Sequence, residues 1–254
     1  MIRSATQAAL VHGLFEYAGM ALGAALYRRA RRQSALPAMT GPGPFALMVG
    51  LLLGAGLGNK LAFALERPDL VLAWWHGGPW AMGQSVIGGL LGGLLGIEAA
   101  KALTHQPAST GDLMIRPIAA GLIVGRIGCT LAGLHDDTWG RPTALPWGLD
   151  AGDGVPRHPA PLYEMLVVAG LALLLTHPRT RARLAAVPGL AFKLFLAAYL
   201  AWRLGIDGLK PVLVPFPLGA SGLQWLSALA LAVYLPLTWR AWRRLPPHAA
   251  TGFR

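Results

Sequence analysis

Blocks of about twenty consecutive apolar residues recur along most of this chain, and they constrain it more than any other feature. A segment of that length matches a hydrocarbon core about 30 Å thick when helical. Seven such blocks lie roughly at 8–27, 44–65, 82–100, 115–134, 161–176, 188–204 and 218–239, the fifth and sixth being the shortest. With 54% hydrophobic and 13% charged residues over 254 positions, the sequence reads as an all-α polytopic membrane protein with about seven transmembrane helices. We expect a single transmembrane domain over 1–254 and, within it, an extracytoplasmic loop or head at 135–159 between the fourth and fifth helices. The N-terminal run MIRSATQAALVHGLFEYAGM lacks a small-residue cleavage site and holds His12 and Glu16 inside its apolar stretch, so it reads as a retained first helix.

Charge follows this pattern. The net charge is +11, which in a soluble protein suggests nucleic acid, but here the basic residues cluster between apolar blocks, and topology accounts for them with no nucleic-acid partner. Arg28, Arg29, Arg31, Arg32, Lys101, Arg116, Arg179, Arg181, Arg183, Arg240, Arg243, Arg244 and Arg254 fall in one set of loops. Only Arg3, Arg67, Arg141, Arg157 and Lys210 fall in the other. Thirteen against five makes the first set cytoplasmic, which leaves the N-terminus and the 135–158 loop outside and the C-terminus in the cytoplasm. Lys60 and Lys193 lie near block ends, where a lysine can snorkel to water. The lone cysteine, Cys129, excludes an internal disulfide and any multi-cysteine metal site.

Glycine spacing speaks to packing. Gly50, Gly54 and Gly58 in the second block, Gly88, Gly92 and Gly96 in the third, and Gly121 and Gly125 in the fourth recur every four residues. Such stripes let helix backbones approach closely, and they predict a tight inner bundle of these three spans. The run GGLLGGLLG is not a nucleotide loop, since no strand precedes it and no Lys-Ser/Thr follows.

Few residues can carry chemistry. Arg126 sits inside the apolar fourth block, and an intramembrane arginine requires a partner or a function. Its planar, permanently charged fork suits two oxygens of a phosphate or carboxylate. A structural ion pair with Glu16 or Asp207 is the alternative. Tyr199, Arg203 and Asp207, spaced four apart, share a helix face and could hold a polar headgroup; equally, Asp207 could simply neutralise Arg203. His12 could carry a proton, or be an ordinary hydrogen-bonded histidine. The loop holds His135, Asp136, Asp137, Arg141, Asp150, Asp153, Arg157 and His158. No tight metal-ligand spacing joins them, whereas Pro142, Pro146, Gly148, Gly152, Gly154 and Pro156 mark an ordered, turn-rich fold. Cys129, one turn beyond Arg126, reads as a small apolar filler rather than a nucleophile.

Gly125-Arg126-Ile127-Gly128, Gly140-Arg141-Pro142-Thr143, Pro146-Trp147-Gly148 and Arg157-His158-Pro159 with Leu162-Tyr163-Glu164 stand in order within forty residues. In these the chain resembles the prolipoprotein diacylglyceryl transferases of bacterial inner membranes. The late Tyr199, Arg203 and Asp207 pattern and Gln224 at the head of the last span fit the same family. The resemblance implies a transferase that moves the diacylglyceryl group of phosphatidylglycerol to the lipobox cysteine of a prolipoprotein signal peptide, amid membrane lipids and without a cofactor or metal. It implies Arg126 and Arg203 as catalytic phosphate ligands, Tyr199 and Gln224 orienting the headgroup, and His135, His158 or His12 as the base. Asp207, Arg141, Arg157, His158, Glu164 and His12 complete the substrate-binding set, with Glu164 and Arg157 organising the outer loop. The sequence departs from the family pattern at Ile87, where a histidine is usual, and at Cys129, where asparagine is usual. His135-Asp136-Asp137 replaces another segment of the pattern, so Asp136 or Asp137 would stand in for a glutamate. Two other functions fit such a chain: transfer of a lipid group to another acceptor, and non-catalytic lipid binding or transport.

Overall fold

The computed structural model describes residues 2, 4–34, 41–79, 83–106 and 108–246. Met82, at the head of the third apolar block, and Arg3 and Arg254 of the charge count lie outside the described residues. The described residues form nine α-helices: α1 (Ala5–Arg32), α2 (Pro42–Glu66), α3 (Pro68–Trp75), α4 (Val86–Thr104), α5 (Ile115–Ala132), α6 (Ala160–Thr176), α7 (Pro178–Leu184), α8 (Leu190–Ile206) and α9 (Gly222–Trp242). Two short strands, β1 (Leu149–Asp150) and β2 (Pro156–Arg157), pair antiparallel in the loop between α5 and α6. The protein is all-α and polytopic, as expected.

Among the described residues, five helical segments are long and apolar enough to cross a membrane: α1, α2, α4, α9, and α5 with its flanking 3-10 turns. The pair α6 and α7, bent by 66°, makes a sixth when counted as one broken span, and the sixth apolar block of the sequence is the 17-residue α8. The bend has a local cause. His177 precedes Pro178 and is extended, with φ −58° and ψ 137°, because proline's ring disfavours the helical region for the residue before it. Arg67 before Pro68 ends α2 in the same way, at φ −125° and ψ 59°.

The chain divides into two compact units, 1–34 with 109–199 and 233–254, and 35–108 with 200–232. In the first, α1 packs along α5. A Cβ on Gly19 would lie 2.7 Å from the Gly121 carbonyl oxygen, and one on Gly128 would lie 2.8 Å from Phe15 Cβ. Gly125, by contrast, has nothing within 4 Å. The contact stripe of α5 is therefore Gly121 and Gly128, two turns apart, and not Gly121 and Gly125. At the start of α8, the Asp112 carboxylate accepts hydrogen bonds from the backbone N–H of Gly189 (2.7 Å) and Phe192 (2.9 Å), a charge well placed at a helix N-terminus.

In the second unit, α2 and α4 run antiparallel with glycine on glycine: Gly50 against Gly96, Gly54 against Gly92, Gly58 against Gly88. Carbonyl oxygens of one helix fill the space a methyl group would need on the other. The glycines expected to build one bundle of three spans thus make two pairs, α2 with α4 and α5 with α1. The N-terminus of α9 is closed by a reciprocal capping box: Gln224 N–H donates to Ser221 Oγ (3.1 Å), and Ser221 N–H donates to Gln224 Oε1 (3.0 Å). The Glu66 carboxylate accepts from Leu223 N–H at 2.8 Å.

This packing predicts that Gly54→Ala forces α2 away from α4 and costs about 1–3 kcal/mol by overpacking. Gly56, with nothing within 4 Å, should accept alanine at no cost. Thermal unfolding of the two variants in detergent tests the contrast.

Candidate active site

Arg126 lies on the buried face of α5 and is 7% exposed. Its Nη2 donates to Glu164 Oε1 at 3.0 Å and lies 2.9 Å from Oε2. Glu164 is 1% exposed, and its Oε1 also accepts from Tyr199 Oη at 2.6 Å. Arg126 Nη1 reaches Cys129 Sγ at 3.5 Å. The Arg126 Nε is buried and has no hydrogen-bond partner among the described residues. The ion pair that the sequence demanded therefore exists, but its acid is neither Glu16 nor Asp207. Glu164, expected to organise the outer loop, is the fifth residue of α6, and the packing of α6 on α5 turns its carboxylate inward.

Beside this pair, three side chains from three segments of the first unit converge. His12 Nε2 is 3.8 Å from Cys129 Sγ, and His12 Nδ1 is 3.6 Å from Asp136 Oδ2. Gly128 makes this possible: it abuts the His12 backbone and Phe15 Cβ, so any larger residue would push α1 and its histidine away from the cysteine. His135, one residue before Asp136, is exposed.

Between α5 and α6 the separated motif pieces meet. Gly140 N–H donates to His158 O (2.9 Å), His158 N–H to Arg141 O (3.1 Å) and Thr143 N–H to Pro156 O (2.9 Å), so Gly140–Thr143 forms a ladder with Pro156–His158. Trp147 Nε1 donates to Tyr163 Oη at 2.9 Å, and His158 Nδ1 lies 3.5 Å from the same oxygen. At the hairpin tip, Asp150 Oδ1 accepts from the backbone N–H of Gly152, Asp153 and Gly154 at 2.7, 3.0 and 2.9 Å. These bonds, Gly152 first, hold the Asp150 carboxyl below the usual range. The hydrogen bond from Arg157 (2.6 Å) does the same for Asp153. Arg157 thus pairs within the loop, while the Arg141 side chain is exposed.

The second unit holds the other buried arginine. Arg203, 3% exposed, makes a two-point contact with Asp207 (Nε to Oδ2 3.0 Å, Nη2 to Oδ1 2.9 Å). Lys210 Nζ lies 3.0 Å from Asp207 Oδ1, a partner the sequence reading did not assign. The spacing of four had pointed to the Arg203–Asp207 pair. Gln224 Nε2 donates to Leu204 O at 3.0 Å, so both ends of its amide are engaged by the protein. Ile87, at the usual histidine position, is 1% exposed.

Replacing one member of a buried ion pair leaves the other charged and unpaired. Glu164→Gln is expected to cost about 3–5 kcal/mol, and Tyr199→Phe, which removes one bond to a charged acceptor, about 1.5–3 kcal/mol, both read by thermal unfolding in detergent. The hairpin should be pH-insensitive down to the ordinary carboxylate range. Folded values below the unfolded one of about 3.9 make the Asp150 and Asp153 contribution full above that pH and lost as pH falls through the folded values. Amide exchange at 152–154, corrected for intrinsic rates, should stay flat from about pH 7 to 5 and rise only below about pH 4.

Comparison with known proteins then bears on what these groups belong to. A family model described as prolipoprotein diacylglyceryl transferase matches residues 6–240. A relative from Methylococcus capsulatus is 31% identical over 232 residues, 85% of this chain and 82% of its own length. One from Nitrosomonas europaea is 32% identical over 213 residues, 77% of this chain and 71% of its own, and one from Cupriavidus metallidurans is 34% identical over 166 residues, 61% and 57% respectively. Each of the three is named phosphatidylglycerol–prolipoprotein diacylglyceryl transferase. The alignment with the Cupriavidus metallidurans relative thus spans little more than half of that protein. The match over 6–240, which takes in Arg126, Glu164, Tyr199, Arg203 and the whole loop, shows that this multi-pass bacterial membrane protein belongs to the prolipoprotein diacylglyceryl transferase family.

Proposed function

We propose that the protein transfers the diacylglyceryl group of phosphatidylglycerol to the thiol of the lipobox cysteine in a prolipoprotein signal peptide, at the outer leaflet of the bacterial inner membrane. The observation that carries this reading is the Arg126 guanidinium: buried, fixed by Glu164, and with its Nε still free to donate. Such a donor can receive a phosphate oxygen without giving up its carboxylate. In the transfer, the substrate sulfur forms a bond to the terminal glycerol carbon, the carbon–oxygen bond to phosphate breaks, and glycerol phosphate leaves with the electron pair. Arg126 stabilises the charge that grows on that phosphate. The thiol proton passes to a histidine of the 135–159 loop, for which we assign the exposed His135.

Tyr199 holds Glu164 and so orients Arg126. Arg203, fastened by Asp207, is a further guanidinium of the family pattern, whose part Arg203→Lys tests separately. The excess of basic residues in one set of loops supports a topology with the N-terminus and the α5–α6 loop outside and the C-terminus in the cytoplasm. The substrates are those in the names of the homologues.

The test is incubation of the purified protein with phosphatidylglycerol and a lipobox peptide, followed by mass spectrometry. We expect the peptide to gain the mass of a diacylglyceryl thioether. We also expect Arg126→Lys to lower the rate by roughly a hundredfold or more, the scale for loss of one preorganised donor. Unmodified peptide beside an active control enzyme would overturn the proposal.

A further inference from the structure

We propose that His12, Cys129 and Asp136 form a binding site for a zinc-class divalent cation, distinct from the guanidinium site and independent of whether lipid transfer occurs. The first argument is geometric. One donor atom from each residue, an imidazole nitrogen, a thiol sulfur and a carboxylate oxygen, all lie within 4.8 Å of one another; the short contacts, 3.8 Å to Cys129 Sγ and 3.6 Å to Asp136 Oδ2, come from the two opposite nitrogens of the His12 ring. Tetrahedral zinc with these ligands has donor-to-donor edges of about 3.4–3.6 Å, so a cation would draw the three side chains together, with a turn of the His12 ring to present one nitrogen.

The second argument is an unmet need. Asp136 is nine-tenths buried, with a side chain 10% exposed, and its Oδ2, the atom that faces His12, has no hydrogen-bond partner among the described residues. A buried carboxylate oxygen left in that state is costly, and a cation at this position satisfies it. The third is charge. Arg126 and Glu164 already neutralise one another, so a Cys129 thiolate and the Asp136 carboxylate together balance one dication. Arg126 Nη1, 3.5 Å from Sγ, would then donate to the coordinated sulfur, as outer-shell groups commonly do.

The donor set selects the metal class. Calcium and magnesium take oxygen ligands, whereas mixed imidazole, thiolate and carboxylate suit zinc and its neighbours. Three protein ligands leave a fourth position open, as in sites that keep a water or a substrate group on the metal. The His12 side chain is 37% exposed, so the protein does not enclose the cluster on that side. No spacing motif could have announced this site, because residues 12, 129 and 136 come from α1, α5 and the turn that follows it.

Cys129 is the chain's one cysteine, so every thiol signal reports this site. The full-length protein, purified in detergent through a tag without histidine and stripped by chelator, is titrated with cobalt(II). The expected result is a near-ultraviolet thiolate-to-cobalt band that saturates at one cobalt per chain and is displaced by zinc. Cys129→Ser should abolish the band, and Asp136→Asn should weaken cobalt binding on the order of tenfold or more. Glu98→Gln, on the exposed side of α4, should leave it unchanged. In the wild-type protein zinc should also slow alkylation of Cys129 by a membrane-permeant maleimide, a readout that does not depend on any variant folding. Cobalt binding without the thiolate band, a band that persists in Cys129→Ser, or alkylation indifferent to zinc overturns the proposal.

Discussion

The first unit of this protein is organised around one neutralised charge. A guanidinium in the middle of an apolar helix is tolerable only with a carboxylate against it, because desolvating either ion alone costs several kcal/mol. Arg126 finds Glu164, and Glu164 is held from the other side by the Tyr199 hydroxyl. Three helices, α5, α6 and α8, are thereby joined at a single carboxylate. A hydrogen-bonded ion pair of this kind is directional where the surrounding leucines and alanines are not. It therefore sets the register of α6 against α5 in a way that apolar contact, which lipid tails can also supply, does not.

The loop between α5 and α6 follows from the same constraint. With Arg126 on one helix and Glu164 at the start of the next, the intervening residues must leave the bundle and return within a short distance. They do so as a ladder of Gly140–Thr143 against Pro156–His158, closed at its tip by the Asp150 carboxylate over three backbone N–H groups. The sequence pieces that mark the family are thus a mechanical set: one carries the arginine, one carries its acid, and the two between them pair with or brace the return path. Trp147, donating to Tyr163 beside Glu164, joins the loop to the head of α6.

Much of this was legible in the sequence, and the limits have physical causes. Apolar blocks gave the helices, and proline after His177 and Arg67 broke them where its ring allows no helical predecessor. The i, i+4 spacing of Arg203 and Asp207 gave their ion pair, since both partners sit on one helix. Glu164 escaped because it lies in the first turns of the fifth apolar block, beside a polar loop, and only the packing of α6 on α5 turns its carboxylate toward Arg126. Gly125 and Gly128 are indistinguishable by composition. Their difference is the side of α5 that α1 covers, which is a tertiary fact. Asp112, capping α8 from 77 residues away, left no local trace at all.

The two proposals meet at Arg126. Its guanidinium gives Nη2 to Glu164, reaches the thiol of Cys129 with Nη1, and keeps Nε. With the thiol protonated and no cation, Arg126, Glu164 and the Asp136 carboxylate sum to one negative charge, which opposes an incoming phosphate. A dication held by His12, Cys129 and Asp136, with the thiol deprotonated, would bring the same group of residues to neutrality. The N–H at Nε would then meet the phosphate within a group of residues that carries no net negative charge. On this view Cys129 and Asp136, together with the cation, would balance the charge around the arginine.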